Sequence, residues 1–213
     1  GLAAGGSLDA NPVMDLHFLN QAQGWVALGT NIAYQLSLGK WKKVDVVATV
    51  TQVHLFDANR GIACGEGGAI WRTTDGGQSW GVETPGEGTE IDFTTLQCFG
   101  NGRCFAAGQG VEEVDGEQSS MTRYKGWEVW TTTNFGDSWT RMHIAPAQGG
   151  DGQAVGPIRF LEDGNTGWLA VADWDMQNQR TKQVHVLKTT DGGTNFTDMN
   201  VPTKVGVFQF MFD

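Results

Sequence analysis

The sequence predicts an all-β chain, a β-propeller of four-stranded antiparallel blades. Three observations predict it. A turn of the pattern Thr-x-Asp/Asn-x-Gly-x-x-aromatic begins at residues 73, 132 and 189. Short apolar runs with period-two alternation precede each of these turns, as in Leu16 and Phe18 around His17, or Val53 and Leu55 around His54. Glycine stands at 31 of 213 residues against 5 prolines, which supplies many turns between short strands.

Each repeating unit opens with an apolar run: Val13 to Leu19, Val50 to Phe56, Phe93 to Phe99, and Ile158 to Leu161. A second run follows a turn: Gly24-Trp25-Val26-Ala27-Leu28-Gly29, Gly61-Ile62-Ala63-Cys64-Gly65, Arg103-Cys104-Phe105-Ala106-Ala107-Gly108 and Gly167-Trp168-Leu169-Ala170-Val171-Ala172. A third run leads into the Asp-containing turn, and a fourth follows it. A four-stranded meander repeated in tandem is a propeller blade, because stacked units bury faces that one unit leaves open. The units fall at about 12–46, 47–86, 90–146 and 155–202 within one domain spanning 1–213. The stretch Val205-Gly206-Val207-Phe208-Gln209-Phe210-Met211-Phe212-Asp213 reads as the first strand of a further blade, as expected for a piece of a larger propeller.

The turns themselves carry the strongest signal. Thr73, Asp75, Gly77 and Trp80 recur as Thr132, Asn134, Gly136 and Trp139, and again as Thr189, Asp191, Gly193 and Phe196. Ser37-Leu38-Gly39-Lys40-Trp41 is a shortened first copy without the Asp. A carboxylate at Asp75 or Asp191 can accept backbone N–H groups of its own turn. The aromatics are expected to pack the outer strand against the body of the same blade. A calcium or sugar site at the turn ranks below this structural role, since each turn supplies one carboxylate and hard cations take several oxygens.

The turn matches the Asp-box, or BNR repeat, of propeller proteins. Residues 61–80, GIACGEGGAIWRTTDGGQSW, most resemble the photosystem II stability and assembly factor family, and the resemblance runs from about residue 12 to 202. It departs from that family through inserts after Gly108 and after Asp173. The resemblance implies a non-catalytic scaffold that binds a protein complex, a photosynthetic complex being the specific expectation, in the thylakoid lumen or another non-cytosolic compartment. It implies no cofactor. Similar boxes occur in sialidases and other secreted propellers, so a secreted glycan-binding or sialidase-like propeller is the alternative.

Composition narrows the partners. Net charge is −10, and the pI is about 4.7. Such a chain is repelled by phosphate backbones and anionic lipid surfaces, which argues against nucleic acid. No apolar stretch has the length of a membrane-spanning helix, so membrane association is expected only through a partner. Catalysis is not expected either. A sialidase combines an arginine cluster with a Tyr–Glu nucleophile pair and an acid Asp. Here the seven arginines fall in unrelated blade contexts, and Tyr34 and Tyr124 are the only tyrosines.

Four further sets of residues invite a functional reading. Cys98 and Cys104 flank a short loop and can meet at disulfide distance, the alternative being two buried thiols. Cys64 reads as a packed free thiol and no metal site is expected. His17 and His54 occupy equivalent positions in adjacent inner strands, as a paired metal or proton site or, the favoured reading, as two core histidines. His143 and His185 show no evident partners. The segment 109–126 reads as a long polar excursion in place of a tight hairpin. Its Glu112, Glu113 and Asp115, with Arg123 and Tyr124, are candidate partner contacts or simply a solvated loop. Trp174 and Met176 in the second insert are candidates too, as an apolar pair in a polar loop.

Overall fold

A computed structural model of the chain describes residues 12–37, 40–83, 85, 91–115, 120–146, 152–175 and 180–202, and these are all strand and turn. The stretch 205–213 lies outside them. Blade 1 is built from β1 (Asp15–Asn20), β2 (Gln23–Ala27), β3 (Gly29–Ser37) and the first half of β4 (Lys40–Leu55). Blade 2 takes the second half of β4 with β5 (Gly61–Gly65), β6 (Ile70–Thr73) and β7 (Gly81–Glu83). Blade 3 is β8 (Ile91–Cys98), β9 (Cys104–Asp115), β10 (Ser120–Thr132) and β11 (Thr140–Pro146). Blade 4 is β12 (Gly152–Phe160), β13 (Gly167–Asp175), β14 (Arg180–Thr189) and β15 (Thr197–Asp198). Every pairing is antiparallel between consecutive strands, the meander expected of propeller blades.

The boundary expected at 46/47 is not a break. β4 runs for 16 residues, pairing with β3 through Asn31↔Asp45 to Ser37↔Lys40 and with β5 through Val50↔Gly65 to Leu55↔Gly61. Nothing between Lys40 and Leu55 is Gly or Pro, and the β-branched residues Val44, Val46, Val47 and Val50 favour one extended strand. The seven strands β1 to β7 therefore form one continuous sheet.

The hydrophobic core is divided among the blade boundaries. Trp25, Ile32 and Tyr34 of blade 1 pack on Val53, Leu55 and Trp71 of blade 2. Ile62 and Ile70 of blade 2 pack on Phe93, Leu96 and Trp130 of blade 3. Phe105, Trp127 and Val129 of blade 3 pack on Ile158, Phe160 and Leu169 of blade 4, with Phe105 and Phe160 stacked at 3.6 Å. Each blade is a thin sheet whose stability resides in its neighbours, as in other tandem-repeat architectures.

The Asp-boxes reinforce these boundaries. Inside each box the Thr hydroxyl donates to the Asp or Asn Oδ1 at 2.8 Å, in Thr73–Asp75, Thr132–Asn134 and Thr189–Asp191. The same hydroxyl oxygen accepts the N–H of Gly77, Gly136 or Gly193 at 3.0, 3.2 and 3.0 Å. Oδ1 then accepts the N–H of Ser79, Ser138 or Asn195. The aromatic that ends the box points elsewhere than expected. Trp80 packs on the cluster shared by blades 1 and 2, Trp139 on that of blades 2 and 3, and Phe196 on that of blades 3 and 4. Trp80 meets Trp25, and Phe196 meets Trp127, each across the boundary to the preceding blade. The wedge works between blades because the turn swings the aromatic off its own sheet. Gly136 explains the closeness: it holds φ 80°, and a Cβ there would stand 2.8 Å from Ile62 Cγ2 of blade 2.

A second repeat lies on the inner strands. Asp15 Oδ2 accepts the N–H of Val53 at 2.9 Å, Gln52 Oε1 accepts that of Leu96, and Thr95 Oγ1 accepts that of Ile158 at 3.1 Å. Two residues further along, His17 Nδ1 accepts the N–H of Leu55 at 2.7 Å and Gln97 Oε1 accepts that of Phe160. Each inner strand thus supplies side-chain acceptors to the backbone of the next inner strand. These rungs occupy N–H groups that the innermost strand would otherwise leave without an acceptor, each worth about 1 kcal/mol.

Candidate docking rim

The two rims of the propeller are chemically different. On one, each Asp-box bonds to the turn between the first two strands of its own blade: Gly76 N–H to Asn59 O, Phe135 N–H to Gly102 O, and Gly192 N–H to Asn165 O, all within 2.8–2.9 Å. The Asp-boxes and these turns are mutually satisfied, and this rim also carries the Cys98–Cys104 disulfide, whose Cα atoms are 4.1 Å apart. The opposite rim carries the connections between second and third strands.

On that opposite rim the blades diverge. Blades 1 and 2 close tightly, with Ala27↔Ile32 and Cys64↔Ile70 as the last pairs. Their second strands are 5 residues each. In blade 3 the second strand runs for 12 residues and in blade 4 for 9. The segment expected to be a loop excursion is therefore largely ladder. β9 and β10 stay paired through Arg123↔Glu112 and Thr122↔Glu113 to Ser120↔Asp115. The inner strand leaves this hairpin at Ile91↔Gly110 and the outer strand at Gly126↔Pro146, so a two-stranded arm projects beyond the blade. Five residues per strand, Val111 to Asp115, reach about 17 Å at the rise of an antiparallel strand. Val111, Val114, Thr122 and Tyr124 explain the strand, since β-branched and aromatic residues favour it even among acidic neighbours.

Blade 4 raises a shorter arm beside it. β13 and β14 pair through Trp174↔Thr181 to Asp175↔Arg180, where Arg180 Nε stands 3.7 Å from the buried Asp175 carboxylate. Trp174 is thus a strand residue opposite Gly152 on β12, not a loop residue. Met176 lies outside the described residues. Gln109 Oε1 at the base of the blade 3 arm accepts the N–H of Val155 on β12 at 3.2 Å, tying the two bases together.

A cluster not expected from the sequence lies on blade 4. His185 on β14 places Nδ1 2.6 Å from Asp198 Oδ2 and Nε2 3.1 Å from Asp173 Oδ2. Gln153 Nε2 donates to the other oxygen of Asp173 at 2.9 Å. Partial burial alone would lower the imidazole's pKa, but the carboxylates of Asp198 and Asp173 outweigh it and raise it. Both ring nitrogens are engaged, so the group clamps β13, β14 and β15 rather than offering a free base. Its members come from four strands with no shared spacing, which hides them in the sequence. His143 is also partnered: it stacks on Trp127 at 4.7 Å, and Nδ1 lies 2.9 Å from Thr194 O.

The remaining candidates are internal. The rings of His17 and His54 lie 4.4 Å apart on neighbouring inner strands. Burial, then the charge of His17, holds His54 down to about 3, so it is neutral at ordinary pH. The Asp15 carboxyl is raised by burial, although the N–H groups of Val53 and Leu16 work against the shift. Cys64 is fully buried, and burial pushes its thiol up to about 12. Slight burial acts upward on Asp75, but bonds from Ser79 and Thr73 hold it down to about 2; bonds from Asn195 and Thr189 hold Asp191 at about 2 as well. Among the described residues, no group of three or more His, Cys, Asp or Glu is arranged to hold a metal ion. None of the described residues forms a helix long and apolar enough to cross a membrane.

Meander blades, Asp-box turns and interblade rungs together define a β-propeller assembly. No family model matches the chain, and no curated protein matches it. Among solved structures, it is similar to an ancestral GH74 enzyme with a TM-score of 0.51 at 12% identity, over 83% of this chain and 27% of that one. That likeness is one of fold, and this chain spans about a quarter of the enzyme's length. It is also similar to YCF48 bound to a D1 peptide, with a TM-score of 0.42 at 14% identity over 89% of this chain and 82% of that one. YCF48 from Cyanidioschyzon merolae gives 0.41 at 12% identity, over 94% and 88% of the two chains.

Proposed function

We propose that this chain is a non-catalytic propeller scaffold that docks onto a protein complex through the arms of blades 3 and 4. The carrying observation is the asymmetry of one rim: two adjacent blades extend their second and third strands while the other two close in tight turns. Insertions in repeat proteins gather on the binding face. Glu112, Glu113 and Asp115 fall on the blade 3 arm, so the fitting partner presents Lys and Arg. Trp174 on the adjacent arm would supply the apolar anchor of the interface.

The perturbed carboxylates favour binding over catalysis. Asp75 and Asp191 serve their own turns, Asp15 serves the Val53 N–H, and Asp92 serves the Gly67 N–H at 2.9 Å. Each is committed to a backbone donor of the fold rather than held ready for a substrate. The Cys98–Cys104 disulfide fits an oxidising, non-cytosolic compartment such as the thylakoid lumen. A photosynthetic complex as the specific client rests on the sequence resemblance at residues 61–80.

The test is co-purification from the native source. The whole chain is compared with a variant in which residues 111–125 are replaced by a tight turn that leaves the Gly110 and Gly126 pairings in place. Loss of a stoichiometric protein partner with retained fold is the expected result. Equal recovery of the partner by both chains, or glycan binding without a protein partner, would overturn the reading.

A further inference from the structure

The boundary between the first two blades is held by different chemistry from the other two. Its rungs end on Asp15 and His17, which take up protons. The rungs from blade 2 to blade 3 and from blade 3 to blade 4 end on Gln52, Thr95 and Gln97, which do not. His17 Nδ1 accepts the Leu55 N–H at 2.7 Å, so the neutral ring carries its hydrogen on Nε2. A further proton can enter only at Nδ1. There it would face the Leu55 N–H, donor against donor, and the rung has to open. Gln97, at the equivalent rung, keeps its acceptor for the Phe160 N–H at any pH.

The groups around His17 direct the proton to it. Burial holds its imidazole below the usual 6.5, and the Asp15 carboxylate, two residues back on β1, works against that shift. From β4 the His54 ring lies 4.4 Å away and stays neutral, held down to about 3 by burial and then by the charge of His17. The charge of Arg159 on β12 reaches Asp15, and that of Asp15 reaches the Cys64 thiol on β5. Of the two stacked rings, His17 is therefore the one that titrates first.

The same boundary has a place to bend. β4 pairs with β3 up to Asp45 and again at Val50, and the register shifts between the two pairings. Residues 46–49 fall in that gap, with Val47 exposed. We infer that His17 is a proton-operated latch between the first two blades: on taking up a proton it releases the Leu55 amide, and blade 1 swings from blade 2 about residues 46–49 of β4. What opens is the apolar boundary where Trp25 and Tyr34 meet Leu55 and Trp71. The folded pKa of His17 is the lowered one, so the closed latch contributes its full stability above 6.5. That contribution is lost as pH falls from 6.5 through the folded value.

Amide exchange and imidazole titration, both read by NMR on the whole chain, test this. The Leu55 amide is the reporter, and the Phe160 amide, bonded to Gln97, is the internal reference on a boundary that does not titrate. Protection of Leu55 relative to Phe160 should fall at least about tenfold as His17 takes up its proton. The ring contact of Trp25 with Trp80, which spans the same boundary at 4.9 Å, should be lost in step. The His17→Gln variant keeps an acceptor and removes the proton site, so its protection ratio should stay level over the same pH range. The neutral His17 ring should carry its hydrogen on Nε2, a reading that needs no variant. A level ratio across the His17 titration in the native chain, or an equal fall in His17→Gln, would overturn the inference. So would a hydrogen on Nδ1 of the neutral ring, or a Trp25–Trp80 contact that persists once His17 is charged.

Discussion

Trp80, the last residue of the second blade's Asp-box, stands edge-on to Trp25 of the first blade, with ring centroids 4.9 Å apart and planes at 70°. The box therefore closes a boundary between blades as well as its own turn. Trp80→Ala should lower unfolding stability by about 2–3 kcal/mol, less than a fully buried tryptophan costs because the residue is only partly buried. Trp41, which ends the shortened first copy and is 41% exposed, should cost less than about 1 kcal/mol when changed to Ala. Urea unfolding of the two variants checks the contrast, and equal losses would argue against a wedge between blades.

Acid stability should depend on which box holds Asp. The carboxyls of Asp75 and Asp191 are held at about 2 in the folded chain, below the ordinary 3.8. Their contribution is fully present above the unfolded value and is lost as pH falls through about 2. Asn134 makes the equivalent bonds without titrating. Asp75→Asn should flatten the acid limb of the stability curve, and Asn134→Asp should steepen it. Unfolding curves between pH 2 and about 5 measure both, and superimposable curves would count against this origin of acid sensitivity.

His185 sets the opposite limb. Its folded pKa is raised above 6.5. The stabilisation from Asp173 and Asp198 is complete below 6.5 and is lost as pH rises through the folded value. His185→Gln should remove that slope while leaving stability above the folded pKa nearly unchanged. NMR titration of the imidazole together with unfolding at several pH values tests this. A His185 that titrates below 6.5 would contradict it.

The cysteines should react in a fixed order. Native chain with Cys98 and Cys104 joined should show no alkylation, because the Cys64 thiol is buried and pushed up to about 12. Mild reduction should expose Cys98 first, since Cys104 is 0% exposed, and Cys64 should label only on unfolding. The double change Cys98→Ala with Cys104→Ala should cost about 2 kcal/mol, the scale for so short a loop. Mass spectrometry of labelled peptides checks the order.

Particular residues show why some of this was legible in the sequence and some was not. Thr73, Asp75 and Gly77 are legible because all three bonds of the box form within one short turn, so their spacing is fixed. The inner strands are legible because one face is buried at a period of two. That Trp80 crosses to Trp25 is not legible, since sequence spacing carries no information about the neighbouring blade. Gln52, Thr95 and Gln97 look like solvent-facing strand residues until the next inner strand is in place. The arm at 111–125 reads as loop because its charges mask the strand-forming Val111, Val114, Thr122 and Tyr124. His185 gains its partners only when β13, β14 and β15 align.

The most direct test of the docking account is site-specific photo-crosslinking in the native source. A photoreactive residue is placed at Glu113 on the blade 3 arm, at Trp174 on the blade 4 arm, and at Gln78 in an Asp-box on the opposite rim. Crosslinks from Glu113 and Trp174 to one and the same protein, with none from Gln78, are the result the account predicts. Crosslinks from Gln78 alone, or no protein adduct from either arm, would contradict it.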